Sequence, residues 1–220
     1  MTILRNSGSD PYSGFTEGAS TGQLDTFASY WKTNEAGVPR SFAILLSGVI
    51  ASSPSGCVSS GIAWINQYCN KGTTQGTDTV GSYSVNQVCT SLAIDQSDQL
   101  NARLVGHEIG HNFGAWHTHC TDVSTGTAPV GTSTIDTCYS GESYVINNVT
   151  KPCFSGTPTC PAAGAGTIMS YCNLDGCPAN TQTLLQFHPT HITDVIDPAI
   201  LAAPASCLNT TDDIFFSTFE

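Results

Sequence analysis

Positive charge is what this chain most lacks: six Lys plus Arg stand against 17 Asp plus Glu, for a net charge of −11 over 220 residues. Neutralising phosphates takes a basic surface, so this charge argues against nucleic acid and anionic membranes as partners. No apolar run is long enough for a membrane span, and the chain reads as soluble. Its first residues, "MTILRNSGSDPYSG", have no basic region followed by an apolar one, so they do not read as a signal peptide. No two cysteines are spaced C-x-x-C, which excludes the paired clusters of a structural zinc site. Internal repeats and long linkers are also missing, and the length fits one domain with a short tail.

Cysteine itself is plentiful. Ten residues, at 57, 69, 89, 120, 138, 153, 160, 172, 177 and 207, are scattered through Gly/Ser/Thr-rich loops. An even count in that setting predicts up to five disulfides and an oxidising, extracellular compartment, with the pairing left open. A secretion signal would then lie outside this sequence. Apolar residues at 40% suffice for a core. Leu24, Phe27 and Trp31 share one face of a short helix. "SFAILLSGVI" (41–50) predicts a strand covered on both faces, "GIAWINQYC" (61–69) a second strand and "YSVNQVC" (83–89) a third. From Ser91 to Phe113 the period is helical. Residues 118–166 read as loop, and a last helix is predicted within 189–203, bent or restarted at Pro198.

The stretch "GHEIGHNFGAWHTHC" (106–120) concentrates four histidines and one glutamate in fifteen residues. His107 and His111, four apart on the predicted helix, project from one face and suit two ligands of one tetrahedral Zn²⁺. Gly114 can end the helix with a positive φ and turn the chain, so that His117 arrives as a third ligand. Three imidazoles leave a fourth position for water, the arrangement of a catalytic site. Glu108 follows the first histidine and can act there as general base. His119 lies two residues past the required offset and reads as a loop residue beside Cys120. His188 and His191 read as capping or surface residues.

"HEIGHNFGAWH" matches H-E-x-x-H-x-x-G-x-x-H, and by this motif the chain resembles the metzincin zinc proteases. "GTIMSYC" (166–172) resembles their Met-turn, with Met169 the only methionine besides Met1. The wording "GHEIGHNFG", with "HTHC" after it and "TIMSYC" at the turn, is most similar to bacterial secreted members of the reprolysin (adamalysin) branch. Thr118 stands where many reprolysins have Asp, a feature shared with pappalysin-like metzincins. The resemblance implies an α+β catalytic domain with a twisted mixed sheet, an antiparallel edge strand, an active-site helix, the Met-turn and a loop-rich, disulfide-bonded lower subdomain. It implies Zn²⁺ on His107, His111 and His117, Glu108 as base, and Met169 packing under the histidines. Tyr171 matches in spacing the tyrosine that astacins and serralysins place near zinc, where it can stabilise an oxyanion; a packed tyrosine is the alternative. Gly61, Ile62, Ala63 and Trp64 would line the cleft as the edge strand to which a substrate adds.

On this reading the chain is a zinc endopeptidase acting on extended protein or peptide segments. The expected domain covers 1–205, with an upper subdomain to about 114, a lower one from about 115, and a tail over 206–220. The family's fold opens with a strand and a helix that nothing in this sequence supplies. A monomer and an upstream pro-segment are expected; a Ca²⁺ site is left open, with no motif supporting it. Asn148-Val149-Thr150 and Asn209-Thr210-Thr211 fit the N-glycosylation pattern. Two other functions stay open: an inactive metzincin scaffold used as a binding or toxin-like module, and a zinc hydrolase of a non-peptide amide.

Overall fold

A computed structural model describes residues 10–48, 60–88, 97–162, 164–172, 177 and 184–207. The first element is helix α1 (Thr21–Asn34), opened by Ser20, whose hydroxyl accepts from the Gln23 N–H. Its Leu24, Phe27 and Ala28 are buried in one core with Tyr12, Ala43, Tyr83 and Val85. The Tyr83 hydroxyl donates to the Lys71 carbonyl at 2.5 Å and accepts from Arg40 at 2.9 Å, so this aromatic can be fully buried without stranding its polar end.

Three strands form the main sheet: β1 (Ala43–Ser47), β2 (Ser60–Ala63) and, after the small hairpin β3 (Thr73–Gln75) and β4 (Asp78–Val80), β5 (Tyr83–Gln87). Their order is β1-β5-β2, with β1 parallel and β2 antiparallel to β5. The sheet is therefore mixed, with an antiparallel edge strand. The strand buried along its whole length is β5, because it is central and packs against both α1 and α2 (Ser97–Phe113). This corrects the expectation for 41–50: β1 lies at the edge of the described sheet, only Ala43 of it is buried, and Leu46 is 59% exposed.

The second predicted strand is shorter than 61–69. It stops at Ala63, and Asn66 and Cys69 take positive φ values of 57° and 65°. The reason lies in α2, whose last carbonyls need donors. The Asn66 N–H donates to the His111 carbonyl at 2.9 Å and the Gln67 N–H to the Asn112 carbonyl at 2.8 Å. The chain leaves the sheet in order to cap the helix. The helix predicted from Ser91 is found over Ser97–Phe113; residues 91–96 lie outside the described residues.

Residues 118–166 are not loop throughout. Strands β6 (Ser143–Ile146) and β7 (Val149–Pro152) form a hairpin around Asn147-Asn148, whose φ values of 52° and 61° give the doubly left-handed turn that two-residue hairpins favour. Near the C-terminus a short turn α3 (Pro189–His191) leads into a π-helical turn at Ile192–Ile196 and then α4 (Asp197–Ala202). The irregularity expected at Pro198 falls just before it. Pro198 has no N–H for the carbonyl four residues back, and Asp197 bonds instead to the Ile192 carbonyl. Four disulfides join Cys69–Cys207, Cys120–Cys153, Cys138–Cys172 and Cys160–Cys177; Cys57 and Cys89 lie outside the described residues. No helix among the described residues is long and apolar enough to cross a membrane.

Candidate metal centre and active site

Helix α2 carries His107, Glu108 and His111 into the interior and then stops at Gly114, with φ 111°. The Gly114 N–H bonds to the His111 carbonyl and the Ala115 N–H to the Gly110 carbonyl, both at 2.9 Å. This paired closure reverses the chain, and three residues later His117 faces the other two histidines. The three imidazoles each offer a nitrogen within 4.8 Å of the others.

Each ring uses its other nitrogen elsewhere. His107 Nδ1 lies 2.9 Å from the Ile168 carbonyl, and His111 Nδ1 lies 2.8 Å from the Ala115 carbonyl. A carbonyl only accepts, so both Nδ1 atoms carry hydrogen. Burial, with neighbouring histidines second, lowers His107 to about 3 and holds His111 well below the usual imidazole range, so both rings are neutral. Their Nε2 lone pairs are therefore free. His117 Nδ1 is engaged by Glu142 at 2.9 Å, and its Nε2 stands 3.1 Å from His107 Nε2. Two imidazole nitrogens on one tetrahedral zinc, with bonds of about 2.0–2.1 Å, would be about 3.3 Å apart. The donor set fits such an ion by distance, by tautomer and by ligand type.

Glu108 is buried beside this group, and its Oε2 has no hydrogen-bond partner among the described residues. Burial pushes its carboxyl up to about 8. Gly61 on the edge strand makes room for it: a Cβ there would come within 2.4 Å of Glu108 Oε1. Ile62 and Trp64, the neighbouring edge-strand positions, pack their side chains on the first core, and the Trp64 carbonyl accepts from the Asn112 amide at 2.8 Å. Ala63 pairs with Ser84.

Met169 is fully buried, and a Cβ on Gly110 would lie 2.5 Å from its Sδ. The turn that contains it also works through its backbone: Ile168 orients His107, while the Met169 carbonyl accepts from the Thr118 N–H at 3.1 Å and its hydroxyl at 3.4 Å. Thr118 thus ties the residue after the third histidine to the methionine turn. The Tyr171 ring lies nearly parallel to His107, centroids 5.8 Å apart, and 4.1 Å from that of His117. Burial, and then nearby carboxylates, raise its phenol above the usual range, so it keeps its proton.

Three residues near the site were not assigned to it from sequence. Glu142 accepts from His117 and from His119 and Tyr144 as well. His119, expected to be an ordinary loop residue, is fully buried with its ring stacked on that of His117. His191, expected at the surface or in a cap, is buried with Nε2 3.2 Å from the Thr121 hydroxyl, whereas His188 does cap α3. Glu142 is a lone acid in "SGESYV", and no motif could have flagged it; the Cys120–Cys153 bridge and the hairpin bring it in.

Three imidazoles, each with its Nδ1 engaged, set beside an acid whose carboxyl burial raises, equip a metal-dependent hydrolase. A family profile of the reprolysin group, described as metallo-peptidase family M12, matches residues 23–183, and the chain belongs to that family. No curated protein matches the chain.

Proposed function

We propose that this protein is a zinc endopeptidase of the metzincin type, secreted, and most similar to bacterial reprolysin-like enzymes, that cleaves extended protein segments. The observation that carries the reading is the convergence of His107, His111 and His117, each with Nδ1 already engaged, beside Glu108 and the edge strand. These three histidines would hold Zn²⁺, which when bound supplies Lewis acidity toward a scissile carbonyl and an attacking water.

The chain's own residues do the rest. Glu108 takes a proton from the attacking water and delivers it to the leaving nitrogen; burial raises its carboxyl, and the charge of a bound dication would favour the carboxylate that a base needs. A substrate in extended form adds along the outer edge of β2, where Gly61, Ile62 and Ala63 offer backbone groups beside the carboxylate; Trp64 lies past the end of the strand, its carbonyl taken by Asn112. Tyr171, protonated and against the histidine rings, donates to the developing oxyanion. Met169 supports the histidines by packing, and Gly114 supplies the bend.

Four disulfides support an extracellular setting. We place the catalytic domain at 1–205, as a monomer with a pro-segment upstream, and the tail at 206–220, although Cys207 is buried and bridged to Cys69. Glu108→Ala should retain one zinc per chain and lose cleavage of an unstructured protein such as casein by about 10²–10⁴-fold. Full turnover in that variant, with zinc bound, would sink the mechanism.

A further inference from the structure

The three histidines differ in what fixes them. His107 and His111 donate to backbone carbonyls, which the methionine turn and the chain reversal after Gly114 supply whatever the side chains are. His117 alone depends on side chains: the Glu142 carboxylate approaches its Nδ1 with both oxygens, at 2.9 and 3.1 Å, and the Tyr144 hydroxyl lies 3.1 Å from the same nitrogen.

Glu142 is held in turn. Its Oε2 accepts from His119 Nε2 at 2.5 Å, its Oε1 accepts from the Tyr144 hydroxyl, and Tyr144 packs edge-on against Trp116 with centroids 4.2 Å apart. His119 is fully buried, and its Nδ1 has no partner among the described residues, so the contact with Glu142 is the polar interaction that anchors this ring. The backbone closes the same group. The Cys153 N–H donates to the Glu142 carbonyl at 3.0 Å, the Phe154 N–H donates to the His119 carbonyl at 2.8 Å, and Cys153 is bridged to Cys120.

We propose that Glu142 is a positioning residue for the third ligand, fixing the His117 ring with Nδ1 as donor and Nε2 toward the metal, and that His119 and Tyr144 hold the carboxylate in place. This rests on the three-histidine reading of the centre. A carboxylate behind a ligating imidazole raises its basicity and restricts its rotation, and losing such a partner costs about 10–100-fold in metal affinity or activity. Zinc binding, rather than turnover, is therefore the direct readout.

The test measures zinc affinity of the full chain by competition with a chromophoric chelator. Glu142→Ala should weaken binding by about 10–100-fold. Glu142→Gln keeps the size and one acceptor but loses the charge, and should recover most of that, ending about three- to tenfold below wild type. His119→Phe keeps the stacked ring and removes the donor. It should weaken binding by itself and add nothing in the Glu142→Ala background, because both changes break one chain of contacts.

Wild-type affinity in Glu142→Ala, or in Glu142→Gln if the alanine variant does not fold, would overturn the proposal. So would losses from positions 119 and 142 that multiply independently. Failure of the wild type to bind one zinc, or full binding by His111→Ala, would instead overturn the reading of the centre on which the proposal rests.

Discussion

At the scale of single residues, Glu108 shows how burial shifts a carboxyl. Its carboxyl is raised to about 8 by desolvation, so the folded protein holds a proton that the unfolded chain releases near pH 4.5. Between those values folding retains more protons than the unfolded state, and stability falls as pH rises. Chelator-stripped Glu108→Gln should therefore match the wild type at pH 4.5 and exceed it by about 1–4 kcal/mol at pH 8 in urea unfolding. His107 and His111, lowered in pKa, give the opposite slope, but they are common to both proteins and cancel. Equal stability at both pH values would mean that water solvates the carboxylate. For Tyr171, Phe keeps the ring that lies against His107 and His117. If the hydroxyl stabilises the oxyanion, Tyr171→Phe should lower kcat by about 10²–10³-fold with zinc retained; an unchanged kcat would leave the ring a packing role alone.

Within elements, α2 shows two glycines with opposite duties. A Cβ on Gly110 would meet Met169 Sδ at 2.5 Å and Phe187 at 2.7 Å, whereas one on Gly106 meets nothing closer than Ile168 at 3.4 Å. Alanine improves a helix interior by about 1 kcal/mol over glycine. Gly106→Ala should therefore raise the urea midpoint, while overpacking costs of about 1–3 kcal/mol should make Gly110→Ala lower it. The same sign for both would show that the methionine turn yields freely to the helix. Edge strand β2 and the turn after it divide their labour in a similar way: Gly61 gives Glu108 its space, and Asn66 and Gln67 cap the helix that carries it.

Over the whole molecule, one described bridge, Cys69–Cys207, ties the C-terminal end back to the segment after β2, while the other three lie within residues 120–177. Cys69–Cys207 closes 138 residues and Cys160–Cys177 only 17. Chain entropy then predicts that serine replacement of the first pair costs about 5 kcal/mol and of the second about 3 kcal/mol. Denaturant titration of the two double-serine variants checks the order. A larger loss from the short loop would show that strain or residual structure in the unfolded chain outweighs loop length.

What the sequence determined by itself is the chemistry of the centre's first layer and the elements with strong local periods. His107, Glu108, His111, Gly114 and His117 sit close in sequence, where helical spacing and one glycine dictate their geometry. Helix α1 and strand β5 follow from patterns that are equally local. The Asn147-Asn148 hairpin falls within 118–166, which reads as loop, because strands this short in a Gly/Thr/Ser-rich stretch leave little periodicity. Tertiary structure alone decided the rest. Only strand order shows that β5 is the buried strand and β1 is not, because burial depends on neighbours that periodicity does not name. Only folding shows that 64–67 leaves the sheet, because the carbonyls it satisfies belong to α2. Glu142 reaches His117 from 25 residues away, through a disulfide and a hairpin, and no local pattern records a contact made by chain return.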